Sequence, residues 1–373
     1  MKIAYFADCK SCHTIRWINY FKKRGHDVFA ITSELNDEMG IKQYKLVGEI
    51  PMPLAGKDSA FRYVFSPFTI LSVRRILAKE MPDIVHAHYA SHYGFIAALT
   101  NYHPMILTTW GSDILINPGQ FRILRYMVQY ALKKADLITC DAKHMIKSLE
   151  KFGVIHSKIH LIYFGTDTQI FNPKQRSTEL RARFTFDNSP IIISLRNLEP
   201  IYDVETLIKS VRIVLKKVPK AKFVVVGEGS QEMFLRGLAE KLQVSQNICF
   251  IGSIPNKEVA KYLASSDIYV SSSLSDAGLA ASTAEAMACG VPVIITDFGD
   301  NKEWVENGVN GFLFAAKDTN SLAENIIYLI DHEKERTKFG EINQDIINKK
   351  LNHLKEMAKM ENLYEVLSKR STR

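Results

Sequence analysis

The stretch LSDAGLAASTAEAMACGVPVI, residues 274–294, decides the fold class. It follows IYVSSS (268–273), an apolar run that reads as a strand, and LSDAG is then a loop. LAASTAEAMAC follows as a helix, stopped by Gly290 and Pro292 ahead of a second apolar run, PVIIT. Strand, loop, helix and strand in that order make a right-handed crossover unit of a parallel sheet. Small residues crowd around a single carboxylate, Glu285, at a place where a strand hands over to a helix.

The same alternation runs through the chain. KIAYFA, DVFAIT, DIVHAHY, PMILTTW, LITC and IHLIYFG in the first half, and IIISL, KFVVVG, ICFIG, IYVSSS, PVIIT and GFLF in the second, are short apolar runs separated by helical patterns. At 373 residues the chain exceeds one hydrophobic core. The expectation is therefore α/β, with two Rossmann-like doubly wound domains facing across a cleft, over residues 1–170 and 171–350. The boundary falls near YFGTDTQIFNPKQRS, where Gly165, Asn172 and Pro173 interrupt the pattern. Residues 351–373 read as an amphipathic helix, with Leu351, Leu354, Met357, Met360, Leu363 and Leu367 near one face, that packs back on the first domain. Ligands of such sheets bind beyond the carboxyl ends of the strands, so functional residues are expected just after strands.

A hydrophobic fraction of 46% with 24% charged residues is that of a globular protein and excludes collagen-like or disordered chains. MKIAYFADCK is too short an apolar run for a secretory signal, and no run approaches a membrane span. Five scattered cysteines, Cys9, Cys12, Cys140, Cys249 and Cys289, suit a reducing cytoplasm better than a disulfide framework. The net charge of +8 is uneven: residues 1–170 hold 21 Lys and Arg against 14 Asp and Glu, and residues 171–373 hold 27 against 26. A basic half attracts nucleic acid, anionic lipid or a phosphorylated substrate, and charge alone does not choose among them.

The helix of the opening stretch begins with Ala280, Ala281 and Ser282, which leave its first amides uncovered, a natural seat for phosphate. Glu285, one turn beyond Ala281, is placed to accept hydrogen bonds from the hydroxyls of a ribose attached to that phosphate. The plainer alternative is close packing of helix on sheet, with Glu285 a solvated surface acid.

GLAASTAEAMACGVPVIITDFGDNKEWVENGVNGFLF resembles the nucleotide-sugar site of glycosyltransferase family 4, retaining enzymes of the GT-B fold. HTIRW with KRGHDV, PDIVHAHYA, WGSD, YFGTD, VVVGEGS and FIGSI fall in the family's order, so the resemblance spans nearly the whole chain. It implies that Glu285 binds ribose and that Gly278, Leu279, Ala280 and Ala281 line the donor. Arg196, in SLRNLEPIYDVETLI, resembles the arginine that grips the donor diphosphate, a task suited to its planar, permanently charged fork. Two departures stand out. Tyr202 occupies the place where the family has a lysine, and Asp276 precedes Glu285 with eight residues between them where the family's paired acids have seven, the strict position being Ala277. An extra loop residue still leaves Asp276 a candidate to reach the donor sugar.

By the same resemblance, Gly299 belongs to a glycine-rich turn near the sugar, in which Asp300 replaces the second glycine, and Gly252, Ser253 and Ile254 form the edge that pairs with the base. VVVGEGS lacks the third glycine of a dinucleotide fingerprint and reads as a tight turn. In the first domain His13, His88, Trp110 and Asp113 fall at expected cleft positions. His13, His88 and Trp110 are assigned to the acceptor side, although the family often has a histidine where Trp110 stands, so that contact does not carry over, and Asp113 is a candidate to orient an acceptor hydroxyl or a donor sugar hydroxyl. A lone histidine or aspartate at such a place is more often structural.

CKSCH is a single Cys-x-x-Cys pair, weak evidence for zinc, and neither a metal nor a cofactor is expected. Residues 59–79 and 121–134 mix aromatic and basic side chains, as helices that rest on anionic membranes do, or as ordinary helices covering a sheet do. The expected activity is transfer of a sugar, with retention, from a nucleotide diphosphate sugar to a hydroxyl of a lipid-linked or polysaccharide acceptor. Such an enzyme is expected in the cytoplasm, peripheral on the inner face of the membrane, with nucleic acid not expected as a partner. The alternative is a degenerate subunit that binds nucleotide sugar or glycan without turnover.

Overall fold

The computed structural model describes residues 1–47, 49–51, 63–65, 67–184, 189–276 and 278–371, so Ala277 and residues 59–62 and 66 lie outside the described residues. The chain divides into two units, Met1–Phe164 with Leu354–Arg373, and Gly165–His353. These limits fall a few residues from 170 and 351. The reason is local: the Thr166 N–H donates to Leu351 O at 2.8 Å and the His353 N–H to Thr166 O at 3.1 Å, which ties 165–170 and 351–353 into the second unit. Gly165, at φ 72°, is needed there because a Cβ would lie 2.6 Å from His353 Cα.

In the first unit the strands are β1 (Lys2–Phe6), β2 (Asp27–Thr32), β3 (Lys42–Lys45), β4 (Glu49–Pro51), β5 (Tyr63–Phe65), β6 (Ile84–His88), β7 (Met105–Thr108), β8 (Leu137–Cys140) and β9 (Ile159–Leu161). Seven form one sheet in the order β3-β2-β1-β6-β7-β8-β9, while β4 and β5 pair separately. The sheet is parallel, with Ile3 opposite both Val28 and Ile84. Its central strands are buried on both faces, which is why they read as unbroken apolar runs. One face is covered by the helix Cys12–Lys23 and by the C-terminal helix His353–Ser371, so that Met357, Met360, Tyr364 and Leu367 share a core with Tyr5, Trp17 and Phe21. The buried stripe runs 357, 360, 364, 367. Leu354, expected on it, is 48% exposed. Tyr364 takes a central place because its hydroxyl has partners: His86 Nδ1 at 2.5 Å and the Tyr5 hydroxyl at 3.0 Å.

The second unit has β10 (Ile191–Leu195), β11 (Lys222–Val226), β12 (Ile248–Gly252), β13 (Ile268–Ser271), β14 (Val293–Thr296) and β15 (Gly311–Phe314), in one sheet ordered β12-β11-β10-β13-β14-β15. All its pairings are parallel. Ile192, Phe223, Val225, Ile268, Val270 and Ile294 form its core with Val211 and Leu322 from the covering helices. Each unit is thus Rossmann-like.

In both sheets the strand order reverses beside the first strand, between β1 and β6 in one and between β10 and β13 in the other. At such a point the connections leave in opposite directions and open a crevice at the carboxyl ends of the strands. The residues singled out from the sequence follow those strands.

Candidate functional site

At the crevice of the second unit, Arg196 directly follows β10 and its backbone N–H donates to Val226 O at 3.1 Å. The loop is braced from the other side by VVVGEGS. A Cβ on Gly227 would lie 2.2 Å from Arg196 O and one on Gly229 2.4 Å from Leu198 O, so these glycines serve a close approach of two loops, as the tight-turn reading requires. The guanidinium of Arg196, its side chain only 9% exposed, donates to Asp276 Oδ1 at 2.5 Å and to Ser273 Oγ at 3.4 Å. Its Cζ sits 4.4 Å from the centre of the Tyr202 ring, a cation–π arrangement. Burial works against the charge, but the Asp276 carboxylate outweighs it and the guanidinium is held above its ordinary pKa.

Tyr202 therefore does more than omit a lysine. It supplies a face on which the arginine lies. Asp276 is likewise engaged by Arg196, eighty residues away in sequence, an arrangement that spacing to Glu285 did not foretell.

The helix Ala281–Ala288 follows the β13 loop. Its N-cap, Ala280, offers no side-chain acceptor, so the first turn keeps backbone donors that a cap would otherwise occupy. Gly278 is buried, while Leu279, Ala280 and Ala281 are half-buried. Ser282 to Ala288 are all buried, Glu285 at 8% exposure among them. The surface-acid alternative for Glu285 thus falls, while close helix packing is also present: a Cβ on Gly340 would come 2.0 Å from Gly290 O. The charge of Glu285 is felt by Cys289, whose thiol is pushed up to about 12 by burial first and this carboxylate second.

Tyr269, inside β13, was not singled out from the sequence. Its hydroxyl lies 2.7 Å from Ser282 Oγ in the first turn of the helix. Burial raises its pKa, and the Arg196 charge and hydrogen bonds to Ser282 and Thr283 oppose that rise. The phenol is thus bonded to the helix start and lies within the field of the arginine. A polar-tipped aromatic in an otherwise apolar strand next to the reversal point was the available signal.

The other residues expected on the donor side end or follow strands of the same sheet. Gly299, exposed at φ 54°, turns the chain after β14, with Asp300 buried behind it. Gly252 ends β12 at φ 77°. Here the expected base-pairing groups already have partners: the Gly252 carbonyl accepts from Gly227 N–H at 2.9 Å and the Ser253 N–H donates to Glu228 Oε1 at 3.1 Å. Ile254 is half-buried beside them. Glu228 is thus a further residue of this edge.

In the first unit, His13 lies on the helix after β1, His88 ends β6 and Trp110 follows β7. Their rings meet, with centroids 5.4 Å apart for both His13–Trp110 and His88–Trp110, and Phe164 closes on His13 at 4.3 Å. Burial, then the charge of Arg16, takes His13 down to about 4. Burial, then His13, takes His88 down to about 3. Both imidazoles are neutral at physiological pH. Neither nitrogen of His88 has a hydrogen-bond partner among the described residues.

Asp113 is enclosed by backbone. It is fully buried, and its carboxylate accepts the Ala90 N–H at 2.7 Å and the Trp110 N–H at 3.0 Å. Backbone amides reach both oxygens, so the carboxylate ties together the loops after β6 and β7. Burial, opposed by these amides, raises it to about 6.

Comparison with known proteins agrees with this architecture. The family described as glycosyl transferases group 1 matches residues 176–345, and that described as glycosyl transferase 4-like matches residues 2–142. An N-acetyl-alpha-D-glucosaminyl L-malate synthase from Bacillus anthracis is 25% identical over 350 residues, 92% of this chain and 90% of that protein. A GDP-mannose-dependent monoacylated alpha-(1-6)-phosphatidylinositol monomannoside mannosyltransferase from Corynebacterium glutamicum is 29% identical over 63% of each chain. Among solved structures, Anabaena HepE in complex with UDP-glucose matches with a TM-score of 0.81 at 19% identity, over 98% of this chain and 100% of that one. These structural likenesses carry the fold alone.

Proposed function

Since the chain belongs to the glycosyltransferases of the family 4 type, with the GT-B fold, we propose that it transfers a hexosyl or N-acetylhexosaminyl group, with retention, from a nucleoside diphosphate sugar to a hydroxyl of a lipid-linked or polysaccharide acceptor. One observation carries this reading: the uncapped start of Ala281–Ala288 and the guanidinium of Arg196 share the reversal point between β10 and β13. As the anomeric C–O bond breaks, negative charge grows on the diphosphate. Arg196 and the helix amides stabilise it more in the transition state than in the ground state. The acceptor hydroxyl attacks on the face from which the diphosphate leaves, its proton passes to the departing phosphate oxygen, and no enzyme nucleophile is required. Glu285 accepts the ribose hydroxyls.

The anomeric configuration of the product, read by NMR, together with nucleoside diphosphate release that depends on acceptor, tests this reading. Inversion overturns the mechanism. Donor binding with no release of nucleoside diphosphate supports the second reading, a nucleotide-sugar binding subunit without turnover, which Tyr202 in place of a lysine favours. Activity that survives chelation of divalent ions is expected, since the charge is assigned to Arg196 and amides.

A lipid acceptor also suits the first unit. The relatives include a phosphatidylinositol mannoside mannosyltransferase, and no described helix is long and apolar enough to cross a membrane. Peripheral attachment through the basic helices Pro67–Glu80 and Arg122–Lys134 at the cytoplasmic face completes the reading.

A further inference from the structure

We infer that Asp276 is a positioning residue that holds Arg196 in the absence of donor and is exchanged for the diphosphate when donor binds. The inference rests on the donor site proposed above and deepens it.

Three observations carry it. The first is the kind of anchorage. Asp113, in the first unit, is fully buried with backbone amides on its oxygens. Asp276 sits in the loop between β13 and the helix Ala281–Ala288, with its side chain 15% exposed, and Arg196 is its hydrogen-bond partner among the described residues. A carboxylate with one side-chain partner can be replaced without breaking the backbone framework.

The second is that Arg196 does not depend on Asp276 for its place. The Tyr202 ring lies against the guanidinium at 4.4 Å, Ser273 Oγ is within 3.4 Å, and the arginine's own N–H is tied to Val226 O. When the carboxylate leaves, the guanidinium remains presented on the phenol face.

The third is charge. With the pair intact, Arg196 is neutralised, Tyr202 brings no cation, and Glu285 stands on the neighbouring helix. A diphosphate added beside that pair meets the Asp276 carboxylate and no free positive side chain from the pair, and like charges at close range are strongly unfavourable. Exchange gives one arginine to one anion at a time. Donor affinity is then set by a competition between carboxylate and phosphate for the same fork, with Asp276 as the internal competitor.

The test is calorimetric titration of UDP, GDP, UMP, GMP and inorganic pyrophosphate into the full chain as wild type, Asp276→Asn and Asp276→Ser, with Arg196→Ala as control and thermal melts to establish folding. Exchange predicts that the diphosphates bind the Asp276 variants at least about tenfold more tightly, that the monophosphates are unaffected, and that Arg196→Ala removes the preference. A purely structural pair predicts equal or weaker diphosphate binding by the folded variants, and that result overturns the inference. Two substitutions are used so that loss of folding in one leaves the other to decide. If pyrophosphate tightens while neither nucleotide binds, exchange stands and the donor reading fails. If no probe binds any variant, both fall.

Discussion

The hydroxyls of Tyr269 and Ser282 lie 2.7 Å apart, which fastens the middle of β13 to the first turn of the helix that follows it. The bond is fully buried on the tyrosine side, and the same phenol feels the charges of Arg196 and Asp276. A strand residue thereby sets where the uncapped helix start stands relative to the arginine. In a buried site this kind of bond contributes geometry as much as energy, because an unmet hydroxyl there costs about 1–3 kcal/mol.

Removing that bond is the first prediction. Tyr269→Phe keeps the ring and leaves Ser282 Oγ without the phenol, so the expected result is a loss of about 1–3 kcal/mol in unfolding free energy. Donor affinity is expected to weaken by roughly tenfold as the first turn loosens. Urea unfolding and nucleotide titration measure the two effects. A variant with unchanged donor affinity would show that the helix start is fixed by packing alone.

Glu285 gives the second. A hydrogen bond from a ribose hydroxyl to a buried carboxylate is worth about 1.5–3 kcal/mol. Glu285→Gln and Glu285→Ala are therefore expected to weaken binding of the nucleoside diphosphate by roughly 10- to 100-fold. The decisive control is a donor nucleotide lacking a ribose hydroxyl. The same substitutions should cost it much less, and an undiminished penalty with the deoxy analogue would remove Glu285 from the ribose.

Much of this was readable in advance, for reasons visible in particular residues. IIISL and KFVVVG declare themselves because both faces of β10 and β11 are buried, and the reversal of strand order then fixes where Arg196 and Glu285 stand. KQYK, which forms β3, does not, since an edge strand with half-exposed side chains carries no apolar run. The spacing of leucines and methionines alone points to Leu354 and leaves out Tyr364. His86 and Tyr5 make it the better core residue by giving its hydroxyl partners. The pairing of Arg196 with Asp276 and the enclosure of Asp113 were beyond reach for one reason: both depend on loops meeting across a sheet, which local periodicity does not encode.

The buried histidines lead to a pH prediction. His88 at about 3, His13 at about 4 and His86, well below its ordinary value, all have folded pKa values beneath the unfolded value near 6.5. Such groups contribute stability that is present above pH 6.5 and lost as pH falls toward the folded values, because the unfolded chain binds the protons first. Asp113 acts oppositely, since its folded value near 6 favours the native state as pH falls through it. Three groups with larger displacements outweigh one. Stability should therefore drop by on the order of several kcal/mol between pH 6.5 and 4. Urea midpoints across that range measure it, and His88→Phe, which keeps an aromatic ring among Trp17 and Trp110, should flatten the slope. An unchanged slope in that variant would mean that His88 is protonated alike in both states.

The last prediction concerns the basic helices of the first unit. The helices Pro67–Glu80 and Arg122–Lys134 contain seven cations, Arg74, Arg75, Lys79, Arg122, Arg125, Lys133 and Lys134, and one acid, Glu80. The rest of residues 1–170 holds 14 basic and 13 acidic residues, so these two helices carry most of the charge excess of that half. The same helices expose Phe68, Leu71, Ile123 and Tyr126, and both pack against Tyr93–Thr100, which places them in one layer. Apolar side chains able to enter a lipid interface, surrounded by cations, match an anionic bilayer, for which each cation near the surface contributes about 1 kcal/mol. The chain should co-float with vesicles containing phosphatidylglycerol and not with phosphatidylcholine alone, and salt should release it. Arg122→Glu with Arg125→Glu, at exposed positions outside the donor crevice, should abolish flotation while leaving nucleotide binding intact. Phe68→Ser with Tyr126→Ser separates insertion from charge. If flotation survives both pairs, the chain's positive half serves some other partner.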